Sequence, residues 1–337
     1  MTGRGIGFRK VILFNEHFVV YGIPAIASSI DSRIEAVVER VDDARDVSGP
    51  SSGLLRGDGW VLEDARLAGT GRRVEEFHEV EPLLLVFEAL GLDPAEENLK
   101  ITVAGDLETA GGIGSSAAFC VSVARALSDE FGLGLGDDAI NRVAYEGEKA
   151  YAGTPSGIDN TVSTYGGMIY FVKNMSGGEN RIERLDIESP IRIVMGNTGI
   201  PGKTRVSVSG VRRRREERPE EYSRIFEESR ELIREAAAAL KGHDLEEIGR
   251  LMDRNHELLQ RIDVSHPMLD ELVEIAMDSG ALGAKMTGGG LGGHMIALTP
   301  LEESQERVAT AMREAGFEAT PTMIGVSSTK AEYRLDE

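Results

Sequence analysis

Apolar and polar residues along the chain follow two periods. The stretch "LKITVAGDL" at 99–107 alternates like a strand, and Ala117, Ala118, Val121, Ala124 and Leu127 then recur at helical spacing up to a stop at Gly132. The intervening "GGIGSSAA" at 111–118 is therefore a strand-to-helix loop. Strand patterns also mark 11–13, 25–40, 166–172, 191–197, 294–299 and 319–326. Helical patterns cover 79–90, 137–150, 220–240, 245–261, 268–279 and 301–315, and the Gly/Ser/Asp-rich region 42–73 reads as hairpins and loops. Helices mixed with antiparallel sheet predict an α+β protein. No internal repeat occurs, and the return of strand pattern near 185 divides the chain into units 1–185 and 186–337.

Composition narrows the partners. A chain of 337 residues, 41% hydrophobic and 28% charged, builds a substantial core in two domains. No segment reaches the roughly 20 apolar residues of a membrane span, and the N-terminus lacks a signal-peptide pattern, so the expected location is cytoplasmic. A net charge of -20 without a basic-aromatic stripe speaks against nucleic acid. The single cysteine, Cys120, lies inside the helix after the glycine loop and reads as a buried apolar residue. Few Gln and Cys amid many charges point to a hot setting, and the acidic excess to a saline one. The run "RRRREERPEE" at 212–221 reads as a solvated, self-paired helix face.

Three segments compete as nucleotide sites. "GGGLGG" at 288–293 satisfies G-x-G-x-x-G, but a strand pattern follows where a dinucleotide fingerprint needs a helix. "NTGIPGKT" at 197–204 follows a strand and falls one residue short of a Walker A loop, because Asn197 holds the first glycine position. The "GGIGSSAA" loop opens a helix whose free N–H groups and partial positive charge attract phosphate, although an ordinary tight turn with a serine cap reads the same way. Elsewhere, Lys10, Glu16 and His17 lie on or just beyond a strand, Glu148 ends a helix and Asp159 sits in a Pro/Gly-rich turn. A phosphotransferase needs a phosphate cradle, a carboxylate for Mg²⁺, a cation and a carboxylate facing the acceptor hydroxyl, and the chain holds one of each. Each residue taken singly also has an ordinary surface, turn or strand-edge explanation.

Together, "NEHFVVYGIPAIA", "PSGIDNTVSTYGG" and "AKMTGGGLGGHMIAL" resemble the motifs of the GHMP kinase superfamily, over roughly residues 7 to 298. The resemblance implies an N-terminal domain like domain 2 of ribosomal protein S5, a C-terminal ferredoxin-like domain and an active site between them. It implies ATP- and Mg²⁺-dependent phosphorylation of (R)-mevalonate at its primary hydroxyl, and suggests a homodimer. Another small-alcohol kinase, or a ligand-binding regulator derived from one, is the alternative. By the same resemblance Gly111, Gly112, Gly114, Ser115 and Ser116, with Gly288, Gly289 and Gly290, surround ATP phosphates. Ser116 and Glu148 hold Mg²⁺, Asp159 is the catalytic carboxylate and Lys10 its cationic partner, and Glu16, His17 and Thr204 face the substrate. The chain departs from the family pattern at Gly7, Phe8 and Arg9 before the lysine, at Asn15 in place of a glycine, at Glu108 and Ala110 in the phosphate loop, and at Leu291 and His294.

Overall fold

The computed structural model describes residues 2–47, 54–67, 80–105, 114–152 and 155–327. The chain opens with two long antiparallel strands, β1 (Thr2–Phe14) and β2 (Ala25–Arg40), in register from Thr2↔Glu39 to Phe14↔Ile26. The hairpin β3 (Leu54–Gly57) and β4 (Trp60–Asp64) adds β4 parallel to β5 (Leu99–Gly105), which lies antiparallel to β2. Helices α1 (Val80–Leu90), α2 (Ser115–Glu130), α3 (Asp137–Ala152) and α4 (Ile158–Tyr165) accompany this layer, and β6 (Met168–Val172) with β7 (Arg181–Leu185) extends it from β2. Ile34, Trp60, Phe87, Phe119 and Leu127 anchor its core.

The second half supplies β8 (Ile191–Asn197), α5 (Thr204–Glu217), α6 (Pro219–Lys241), α7 (Leu245–Arg261), α8 (Pro267–Asp278), β9 (Gly283–Thr287), β10 (His294–Leu298), α9 (Glu302–Glu314) and β11 (Glu318–Ile324). Its strands run antiparallel in the order β11-β8-β10-β9. β11 meets β2 at Ile324↔Ile30, so a single hydrogen-bonded sheet passes from one half to the other. The second core draws Val11, Phe14, Ile26 and Ile30 from the first half and packs them with Tyr222, Leu251, Leu272 and Met295.

β1 is far longer than its apolar segment 11–13 indicates. Gly3, Gly5 and Gly7 interrupt the hydrophobic pattern, yet they line one face of the strand against α2. A Cβ on them would sit 2.1, 2.0 and 2.0 Å from the carbonyl oxygens of Ala126, Ser122 and Ala118. The two-residue period of the strand thus matches the four-residue period of the helix, and backbone meets backbone with no side chain between. The segment Gly7-Phe8-Arg9-Lys10 is continuous strand, and the irregularity it introduces falls in the pairing, where Phe8 faces Arg33 and Lys10 faces Ser29.

One further expectation changes, and one helix forms where the apolar pattern assigns no element. Residues 204–217 form helix α5, whose buried face consists of Ser207 and Val211, too little apolar surface to register in the sequence pattern. The arginine run is self-paired in part, through Arg213–Glu217 and Arg218–Glu221. Arg214, however, donates to the Ile262 carbonyl at 2.6 Å, and Arg215 lies over the rings of Tyr21 and Phe226 at 4.9 and 5.1 Å. These two side chains pack α5 against its neighbours.

Candidate active site

Lys10 projects from β1 and is almost wholly buried. Its ammonium pairs with Asp159 Oδ1 at 2.8 Å. Asp159 stands in the first turn of α4, set there by Gly157, which takes φ 85° as the N-cap. Close by, Gly114 caps α2 at φ 73°, with its α-carbon so near Lys10 that a Cβ would lie 2.7 Å from the lysine Cγ. Any side chain there would displace the lysine as well as strain the backbone. The N-terminal end of α2, with Ser115 and Ser116, therefore opens beside the Lys10–Asp159 pair. Gly111, Gly112, Glu108 and Ala110 lie outside the described residues.

Glu148 reaches the same place from α3. It is buried, hydrogen-bonds with the Ser116 hydroxyl and leaves Oε1 without a partner. Burial foremost, and then the neighbouring Asp159 carboxylate, push its pKa up to about 7, while Ser116 and Lys10 pull the other way. A buried carboxylate with an unsatisfied oxygen next to a hydroxyl is a hard-oxygen pair that suits Mg²⁺. Among the described residues no three acidic, histidine or cysteine side chains form a metal cluster by themselves. Mg²⁺ characteristically takes one or two protein ligands and fills the rest of its shell from phosphate and water.

Glu16 and His17 follow the turn after β1. Asn15, just before them, adopts φ 71°, a left-handed geometry that asparagine tolerates better than most residues, which explains how it replaces glycine. Its backbone N–H donates to Asn255 Oδ1 at 2.9 Å, its side-chain amide donates to the carbonyls of Pro24 and Ser229, and it accepts from the Ser229 hydroxyl. The turn is thereby fastened to α6 and α7.

His17 Nε2 lies 3.0 Å from the Gly289 carbonyl. A carbonyl only accepts, so Nε2 carries the proton and Nδ1 presents a bare lone pair. That nitrogen is buried and unpartnered, and burial holds the ring neutral with a pKa of about 4. The Gly289 carbonyl also accepts from the Ser207 hydroxyl at 2.6 Å, and a Cβ on Gly289 would strike Thr204 Oγ1 at 2.0 Å. Thr204, Ser207, Gly289 and His17 thus form one contiguous wall.

The glycine cluster holds further shape. Gly288, Gly290 and Leu291 all take positive φ, and Leu291 donates its N–H to the Val264 carbonyl at 2.9 Å. Gly290 and Gly293 accept from Lys203 and Thr198, and Gly293 donates to Ile200. These bonds join the cluster to the loop 198–203, so the Walker-like segment spends its backbone groups on protein. Its strand β8 also runs antiparallel to both neighbours, unlike the parallel sheet of a P-loop protein. His294 is buried on β10 between Asn197 and Thr287.

The fold adds residues the sequence reading did not select. Lys285 of β9 is fully buried, forms an ion pair with Glu16 and donates to the Met286 carbonyl at 2.7 Å. A lysine inside the apolar pattern of "GAKMT", directly before a glycine cluster, was the available signal. Ser207 had none, since serines are frequent throughout its segment.

The GHMP kinases N-terminal domain model matches residues 80–167, and the GHMP kinases C-terminal model matches residues 221–318. The chain is 37% identical over 331 residues to a mevalonate kinase of Pyrococcus furiosus, with 94% of each chain covered. It is 36% identical over 342 residues to one from Thermococcus gammatolerans, covering 97% of this chain and 96% of the relative. Among solved structures it superposes on L. major mevalonate kinase in complex with R-mevalonate with a TM-score of 0.85 at 31% identity, covering 97% of both chains. Methanococcus jannaschii mevalonate kinase gives a TM-score of 0.75 at 25% identity, covering 96% of this chain and 98% of the other. With both domain models matched and these relatives aligned across nearly its whole length, the chain belongs to the GHMP kinase family, in its mevalonate kinase branch.

Proposed function

We propose that the chain transfers the γ-phosphoryl group of ATP to the primary hydroxyl of (R)-mevalonate, giving 5-phosphomevalonate and ADP. The observation that carries this reading is the Lys10–Asp159 pair at 2.8 Å, placed beside Glu148 and the N-terminal end of α2. The acceptor oxygen forms a bond to the γ-phosphorus as the bond to the bridging oxygen of ADP breaks. Asp159, half-exposed where Lys10 is buried, orients the hydroxyl and receives its proton. Lys10 holds the Asp159 carboxylate in place through their ion pair and stabilises charge on the equatorial phosphoryl oxygens.

Ser115, Ser116 and Gly114 offer the N-terminal end of α2 to the phosphates, and by the family resemblance Gly288, Gly289 and Gly290 also border them. Glu148 and Ser116 would hold Mg²⁺, which when bound neutralises charge on the β- and γ-phosphates. On the acceptor side, Glu16 and the Nδ1 lone pair of His17 accept from substrate hydroxyls, and Thr204 borders the same space. Identity to named mevalonate kinases over nearly the full chain supports the acceptor assignment. The resemblance also carries a cytoplasmic homodimer into this reading, and no helix among the described residues is long and apolar enough to cross a membrane.

The test offers the purified chain ATP and Mg²⁺ with mevalonate, phosphomevalonate, homoserine or galactose separately, and identifies products by phosphorus NMR. A phosphomonoester on the primary carbon of mevalonate is the expected product. Reaction of another alcohol with none of mevalonate would overturn the assignment, and ATP binding with no turnover on any acceptor would favour a regulator. Sedimentation of the same sample at about twice the chain mass is expected for the dimer.

A further inference from the structure

Glu16 and Lys285 lie 269 positions apart in sequence and meet in full burial. One Glu16 oxygen takes the Lys285 ammonium, and the other, Oε2, has no partner. The lysine is held from behind. Its ammonium donates to the Met286 carbonyl, and the Met286 N–H donates to His256 Nδ1 at 3.3 Å. With Nδ1 accepting, His256 carries its proton on Nε2, which faces Asp270 Oδ1 at 3.1 Å. Asp270 also accepts from Gln260 and Ser265, and Ala284 donates to Asp253 at 2.8 Å. α7 and α8 therefore fix the segment of β9 that presents Lys285.

The placement matters because Lys10 has more than one suitor. Its pair is Asp159, but Glu148 and Glu16 both lie within its electrostatic reach. A buried carboxylate without a cation of its own would either bind a proton or draw the nearest ammonium. Lys10 is the other ammonium acting on Glu16.

Resting on the acceptor-side reading above, we infer that Lys285 is a positioning residue for phosphoryl transfer: it occupies one oxygen of Glu16, so that Lys10 remains with Asp159 and the free Glu16 oxygen stays available to the acceptor. Lys285 itself touches neither substrate. Its effect passes wholly through Glu16.

A double-mutant cycle tests this, comparing wild type, Glu16→Gln, Lys285→Met and the double variant. Each is measured for kcat and for the KM of ATP and of mevalonate, with active sites counted by bound nucleotide. Lys285→Met is expected to lower kcat by 10-fold or more and raise the mevalonate KM, with the ATP KM changed less than about 2-fold. Once Glu16 is neutral, Lys285 has nothing to position, so the double variant should match Glu16→Gln within about 2-fold in kcat. It also buries no unpaired charge, so it folds even where Lys285→Met alone does not, and its comparison with Glu16→Gln then decides. Multiplicative losses, an unchanged kcat in Lys285→Met, or wild-type kinetics in Glu16→Gln would each overturn the inference. Should the wild type phosphorylate a different small alcohol, the same cycle run with that alcohol tests Lys285, and the failure of mevalonate counts against the acceptor assignment alone.

Discussion

Gly5→Ala probes how the N-terminal end of α2, proposed above to receive the phosphates, is held. A Cβ at position 5 would sit 2.0 Å from the Ser122 carbonyl oxygen and 2.6 Å from the Ala126 nitrogen, both backbone atoms that no rotamer change can move. Ordinary contact begins near 3.4 Å, so the helix must retreat by about 1.4 Å at that point. Overpacking of this kind costs about 2–3 kcal/mol. For a protein of this size, with an unfolding entropy of about 2.1 cal/mol/K per residue, that is a fall in Tm on the order of 3–4 °C. Because Gly114 at the head of α2 packs directly on the Lys10 side chain, the shift also reaches the proposed phosphate site. Calorimetry and an ADP-release assay should therefore show a lower Tm together with an ATP KM raised several-fold, while the mevalonate KM holds. Gly242→Ala is the control: its φ of -82° suits alanine and a Cβ would find only ordinary contact at 3.5 Å, so no loss is expected. A Gly5→Ala protein with Tm within 1 °C of wild type and an unchanged ATP KM would refute the close-packing argument.

Asp159→Asn keeps the shape and removes the charge, so kcat should fall by on the order of 10² or more with smaller changes in either KM. Lys10→Met should also slow turnover, and the double variant should lose less than the product of the two; full multiplicativity would uncouple the pair. Glu148→Gln should raise the Mg²⁺ concentration needed for half-maximal rate without lowering Tm, and an unchanged Mg²⁺ dependence would remove Glu148 from the metal site. His17 should make stability depend on pH: burial lowers its pKa from 6.5 to about 4, so the unfolded chain binds the proton first and stability is lost as pH falls between those values. The gap between wild type and His17→Gln in urea unfolding should accordingly narrow by about 3 kcal/mol from pH 7 to pH 4, and a constant gap would contradict the buried neutral ring.

The readable part of the sequence was what local pattern encodes. The apolar period after "GGIGSSAA" set α2, and motif order selected Lys10, Glu148 and Asp159, which the fold brings together from β1, α3 and α4. Three features stayed hidden for physical reasons. β1 was read short because glycine in a strand looks like a break until a helix backbone is seen lying against it. α5 was obscured because a helix can be held by cation-aromatic contacts of Arg215 and carbonyl contacts of Arg214, which leave little hydrophobic period. Lys285 escaped notice because its partner is 269 residues distant, and a buried charge announces itself only through its surroundings.

The rung between β2 and β11 bears on how the protein is made. Ser28 and Gly325, which bond side chain to backbone at 2.8 Å, are separated by 297 residues. The core around Trp60, Phe87 and Phe119 uses only residues up to α3 and can consolidate while the ribosome is still translating. β2 meanwhile keeps Ile26 and Ile30 bare, because the second core takes them from the first half and joins them to Ile248, Met286 and Ile324. An aggregation-prone apolar patch therefore persists through most of synthesis, and contacts of such high sequence separation form slowly. The nascent enzyme is sealed only when β11, the last described strand, slides in between β2 and β8.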